Sequence, residues 1–131
     1  MLEINSPLLS IPGISYRLGS VILAEIGDID NFKNPSKLLA FCGLDPSIYE
    51  SGNYSGEGRM VKRGSKYLRW AMMQAARLVA IHCETFQHYL HKKINEGKHY
   101  FVALSHAAKK LNRLIFYLLK NDCEFDMAKS V

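Results

Sequence analysis

The chain has 131 residues, with 17 Lys+Arg against 12 Asp+Glu for a formal net charge of +5, and 48% of it is apolar. Those figures fit one compact domain, residues 1–131, that buries roughly two-thirds of the surface it exposes when unfolded. They exclude collagen-like, mucin-like and wholly disordered chains. Apolar runs such as residues 114–119 fall far below the roughly 18 residues that a membrane span needs. The amino terminus shows no secretory signal, so a cytoplasmic protein is expected. Cys42, Cys83 and Cys123 are odd in number and far apart, without the paired spacing of a zinc site or a disulfide framework.

The elements expected in chain order are all helical. A short turn at Pro7 to Ser10 leads through Ile11-Pro12-Gly13-Ile14 to a helix that Ser15 caps and that runs to Ile26, with Leu18, Val21, Ile22 and Ile26 at helical spacing. Gly27-Asp28 ends it. Asn34-Pro35 reads as a cap followed by proline at the first helical position, opening a short helix that Gly43 stops. Residues 44–64 are rich in Gly, Ser, Asn and Pro and read as a loop of about 20 residues, a length typical of functional or disordered segments. Residues 65–94 are helical, as one long helix, with Leu68, Ala71, Met72, Ala75, Val79, Phe86, Tyr89 and Leu90 on the core side. Lys62, Lys66, Arg69 and Arg77 share the opposite face if the helix starts early enough. Asn95-Glu96-Gly97 closes it. A last helix over residues 98–120 turns Phe101, Leu104, Ala108, Leu111, Ile115 and Leu118 inward and Lys109, Lys110 and Arg113 outward. The expected fold is all-α: a helix-hairpin-helix-like part over residues 5–43, a long central loop over 44–64, and two long carboxy-terminal helices over 65–122.

The charge is uneven. Residues 1–57 carry three basic and seven acidic side chains, or −4, whereas residues 58–131 carry 14 and 5, or +9. Arg59, Lys62, Arg63, Lys66 and Arg69 lie in a stretch with no acid between Glu57 and Glu84. Like charges so crowded repel unless a polyanion supplies counter-charge, and a nucleic-acid backbone does so with counterion release. A merely solvated helix face normally interleaves Glu with Lys. The Pro12-Gly13 corner leaves backbone N–H groups at the start of the next helix, where a phosphate oxygen is welcome, so Gly13 and Ser15 join the candidate DNA contacts; the plain alternative is a helix corner with Ile11 and Ile14 packed inside. Glu84, His88 and His91 share one helix face but lack the second carboxylate or cysteine pair of a metal signature, and read as a solvated face, so no metal site is assigned. Trp70, Met72 and Met73 read as packing or helix-surface residues. Ser51, in Glu50-Ser51-Gly52, reads on spacing alone as a turn residue.

Taken in order, Leu9-Ser10-Ile11-Pro12-Gly13-Ile14, Ala24-Glu25-Ile26-Gly27-Asp28-Ile29, Leu39-Ala40-Phe41-Cys42-Gly43-Leu44-Asp45-Pro46, Glu50-Ser51-Gly52 and Lys62-Arg63-Gly64-Ser65-Lys66-Tyr67-Leu68-Arg69 resemble the carboxy-terminal domain of insertion-sequence-110 family transposases. That resemblance implies a DNA recombinase in two parts: a RuvC-like nuclease domain whose four carboxylates hold Mg²⁺, and a helical domain with a serine nucleophile that forms a phosphoserine link to DNA. It further implies a structured guide RNA and a homo-oligomeric full-length protein. By position the nucleophile is Ser51, and the cations from Arg59 to Arg69 match the basic segment that follows it. The sequence contains no counterpart of the nuclease domain, so the chain is expected to bind DNA without recombining it alone and to hold no cofactor itself. Two other readings stay open: a non-catalytic helix-hairpin-helix module in which Ser51 only shapes the loop, and a helical dimerisation domain whose cations face solvent.

Overall fold

The computed structural model describes residues 6–44 and 65–126, and the described residues are helical, without strands. A 3-10 turn over Pro7–Ser10 precedes α1 (Tyr16–Ile26); a second 3-10 turn, Ile29–Asn31, precedes α2 (Pro35–Cys42). After the break come α3 (Lys66–His82), α4 (Glu84–Asn95) and α5 (Tyr100–Asn121).

Side-chain chemistry sets most of the helix starts. Ser15 accepts a hydrogen bond from the Leu18 N–H at 3.3 Å, Asn34 from Lys37 at 3.0 Å and Ser65 from Leu68 at 3.0 Å. Each satisfies a donor that the first helical turn otherwise leaves without a partner, a contribution of about 1 kcal/mol. Proline stands at the first position of α2, where its missing N–H costs nothing.

α3 is the central element, packed against α1, α2, α4 and α5. Ala71, Ala75, Ala76 and Ala80 on α3 and Ala103, Ala107 and Ala108 on α5 are buried, and these small side chains let helix axes approach closely. Larger groups fill the space around them: Leu8, Ile11, Ile22, Leu38, Leu68, Met72, Phe86, Leu111 and Ile115 are at most 1% exposed and join one contiguous core. Burial of each is worth about 1.5–3 kcal/mol before the entropy of ordering is counted. The first arm of the Pro12-Gly13 hairpin is a single 3-10 turn, held from the far end of the chain by the Phe125 N–H, which donates to Ser10 Oγ at 2.7 Å.

The structure corrects three expectations. Residues 65–94 form two helices, because Cys83 is extended (φ −118°, ψ 117°) and caps both α3 and α4. The break costs little hydrogen bonding: the Cys83 N–H still donates to Val79 O at 2.7 Å, and its carbonyl accepts from Gln87 at 3.0 Å. The change of direction lays Phe86 and Leu90 in the core alongside α5. Phe101 is 57% exposed: it lies on the core stripe of α5, but in the first turn, ahead of the first buried residue, Ala103. Lys110 is half-buried, with its Nζ 4.9 Å from the centre of the Tyr89 ring, so its charge rests on an aromatic face.

Candidate nucleic-acid interface

Of the residues expected to carry function, Ser51, Arg59, Lys62 and Arg63 lie outside the described residues. The others fall on two elements, with Gly13 and Ser15 at the entry of α1 and Lys66 and Arg69 in the first turns of α3.

The start of α3 is fixed by contacts to both preceding helices. The Ser65 N–H donates to Phe41 O at 2.9 Å, its hydroxyl donates to the Glu25 carboxylate, and the same oxygen accepts from Leu68. The last described residue before the break, Leu44, is buried close to that anchor, so the two described edges of segment 45–64 stand near each other. Lys66 is exposed, with its Nζ 5.4 Å from the ring centre of Tyr67. Arg69 is half-buried one turn on. The first turn of α3 contains no acid, so two cations sit at the positive end of the helix dipole. That arrangement is unfavourable for an isolated helix; the Glu25 carboxylate on Ser65 offsets part of it, and a further anion beside the two cations is favourable.

Gly13 has φ +104°, and a Cβ placed there would lie 2.8 Å from the backbone C and O of Leu78 and from Val79 Cα. The turn takes proline second and a positive-φ residue third, closed by the Ile14 N–H donating to Ile11 O at 3.1 Å. Gly13 therefore seats the entry of α1 directly on the backbone of α3. Ser15 Oγ accepts from the Leu18 N–H and so satisfies one donor of the first turn.

That seating opens a groove between α1 and α3, of about 480 Å³, with Ser15, Arg17, Leu18 and Val21 on one wall and Trp70, Gln74 and Leu78 on the other. Trp70 is 58% exposed. Of the two sequence readings of Trp70, packing or helix surface, its exposure bears out the second, whereas sequence reasoning missed the Glu25 anchor. The available signal for Trp70 was its place four residues after Lys66 and four before Gln74, on the cationic face rather than the core face. A second cationic hollow lies where the start of α2 meets α5, with Ser36, Lys109 and Arg113 on its walls. Glu84 and His88 form an exposed pair at 3.8 Å, and among the described residues no three His, Cys, Asp or Glu side chains stand where they could hold a metal ion. No described helix is long and apolar enough to cross a membrane.

The chain is similar to known proteins of one family. The family described as Transposase IS116/IS110/IS902 matches residues 5–91. An uncharacterised 44.8 kDa protein of insertion element IS116 from Streptomyces clavuligerus is 27% identical over 122 residues, covering 93% of this chain and 31% of its own length. The transposase for insertion sequence element IS1111A of Coxiella burnetii is 37% identical over 73 residues, and that for IS1328 of Yersinia enterocolitica 36% over 76 residues. These alignments cover 56% and 58% of the chain, and 20% and 23% of the relatives. The chain thus spans less than a third of the length of the relatives it matches.

Proposed function

Because the chain belongs to the IS116/IS110/IS902 family of transposases, we propose that it is the part of such an enzyme that grips DNA and presents a serine nucleophile, Ser51, to a backbone phosphate. The observation that carries this reading is the anchored start of α3. Lys66 and Arg69 stand at the positive end of a helix with no acid in its first turn, at the edge where segment 45–64 rejoins the fold. Phosphoryl transfer needs an in-line nucleophile and cations on the non-bridging oxygens. Ser51 supplies the first, and Arg59, Lys62, Arg63, Lys66 and Arg69 supply much of the second. The Glu25–Ser65–Phe41 contacts hold the start of α3, which carries these cations, in place relative to the core, so that the backbone need not be ordered when DNA arrives.

A RuvC-like companion domain with metal-binding carboxylates is the proposed source of the second half of the chemistry. A guide RNA and a homo-oligomeric, cytoplasmic assembly belong to the same proposal. The rival, a non-catalytic helix-hairpin-helix module, draws on the Pro12-Gly13 turn at the entry of α1.

The test has two arms. DNA affinity of the chain falls steeply with salt, and Lys66→Ala with Arg69→Ala lowers the slope of log K against log salt by about 2. Salt-independent binding, or none, removes the DNA role. In a protein that also carries the companion domain, Ser51→Ala abolishes the covalent protein–DNA adduct while leaving binding within about threefold; an adduct that persists assigns the nucleophile elsewhere and favours the rival.

A further inference from the structure

The groove between α1 and α3 plays no part in the reading above, yet it has the makings of a site. The solvent-facing stripe of α3 runs Lys66, Trp70, Gln74, Arg77, at spacings of four, four and three residues, so a cation, an indole, an amide and a second cation follow one another along one face. Arg77 donates to Gln74 Oε1 at 3.1 Å, which orients the amide. Across the groove stand Arg17, Leu18 and Val21 of α1, and among the described residues no carboxylate lines the space between. Its volume, about 480 Å³, lies in the range of small-ligand sites and accommodates one base with its sugar.

We infer that this groove receives one unpaired nucleotide of the DNA bound along α3, its base stacked on Trp70, its edge toward Gln74 and its phosphate beside Arg17. The inference rests on the DNA-binding reading and adds the strand state of the substrate. Charge decides the occupant. Among the described residues the charged side chains of the walls and of the Lys66–Arg77 stripe are Arg17, Lys66 and Arg77, all positive, which suits a phosphodiester, whereas the apolar face of a partner helix gains nothing from three cations around it. An exposed aromatic face among cations is how sequence-tolerant single-strand binders hold bases, through stacking, with phosphate contacts alongside. Within a duplex the bases are already stacked, so Trp70 has a partner only where a base is unpaired.

Trp70 is the one tryptophan in the chain, so tryptophan emission, excited beyond the absorption of the seven tyrosines, reports this groove alone. The experiment compares a fully paired DNA duplex, the same duplex with a single unpaired nucleotide, and a single-stranded RNA, following Trp70 emission together with the anisotropy of labelled oligonucleotides. The expected result is quenching by the unpaired-nucleotide duplex and at least tenfold tighter binding than to the paired duplex. Trp70→Ala removes that preference, Trp70→Phe retains most of it, and affinity for the paired duplex changes less than threefold in both; thermal unfolding confirms that the variants fold. Equal, salt-dependent binding of the two duplexes without quenching overturns the inference and leaves the DNA role standing. Quenching by RNA alone also overturns it. Absence of salt-dependent binding to any of the three defeats the DNA role and the inference with it.

Discussion

Cys42 closes α2 with no solvent contact, and burial pushes its thiol up to about 12 from the ordinary 9.0. Its thiol donates to the Asn112 side-chain oxygen at 3.9 Å, while the Asn112 amide donates to Pro35 O at 3.0 Å and so ties the start of α2 to α5. The folded thiol therefore keeps its proton over a range in which the unfolded thiol has lost it. Between about pH 9 and 12 the unfolded state binds fewer protons than the folded state, so stability falls as pH rises, by at most about 1.4 kcal/mol per unit; below pH 9 this group contributes no slope. Urea unfolding of the wild type and of Cys42→Ala across that window isolates the effect from the lysines and tyrosines, which titrate in both proteins. The wild type is expected to lose stability more steeply. Parallel curves would show that the folded thiol ionises at its ordinary value.

At the scale of elements, the approach of α1 to α3 depends on a single missing side chain. Gly13→Ala combines a positive φ with a Cβ 2.8 Å from backbone atoms that cannot swing aside, and is expected to cost about 2–4 kcal/mol in chemical denaturation. Gly97→Ala is the control: φ is +90° but nothing lies within 4 Å, so only the dihedral strain of about 1 kcal/mol applies. Equal losses at the two sites would mean that the α1 entry is not seated on α3. The same elements show what could be read from the sequence. The caps at Ser15 and Asn34 were legible because a side-chain oxygen meeting an N–H three residues on is a local event, fixed within one turn. The break at Cys83 was not, since neither Gly nor Pro marks it and the bend is set by where Phe86 and Leu90 find a core. For Trp70 a place on the helix surface was legible, but only the tertiary placement of α1 shows that it borders an open groove. Lys66 and Arg69 were legible as a cation cluster, whereas their anchorage through Ser65 to Glu25 and Phe41 spans residues far apart in sequence and left no local trace.

Over the whole molecule, the helical pieces on either side of segment 45–64 do not form separate cores. Leu8, Ile11, Ile22, Leu38 and Cys42 from the first piece and Leu68, Met72, Val79, Leu111 and Ile115 from the second belong to one buried cluster. The acidic first part and the basic second part are joined at the surface as well, by Lys120 Nζ and Asp30 Oδ1 at 2.8 Å, an exposed contact of small energetic weight. A helix hairpin working as an independent module would bury its own apolar face, yet Gly13, Ile14 and Leu18 are placed against α3 or within the shared core. Loss of either piece would expose the apolar face of the other, so folding should be all-or-none. Residues 1–44 and 65–131 made as separate polypeptides are expected to show little native helix, while the intact chain unfolds in urea through one transition. Circular dichroism, which follows every helix, and Trp70 emission, which follows the α1–α3 groove, should share the same midpoint. Midpoints that separate, or a first piece that folds alone, would show that the hairpin is a module in its own right, and the α3 cations would then lose the fixed position relative to α1 on which the DNA grip depends.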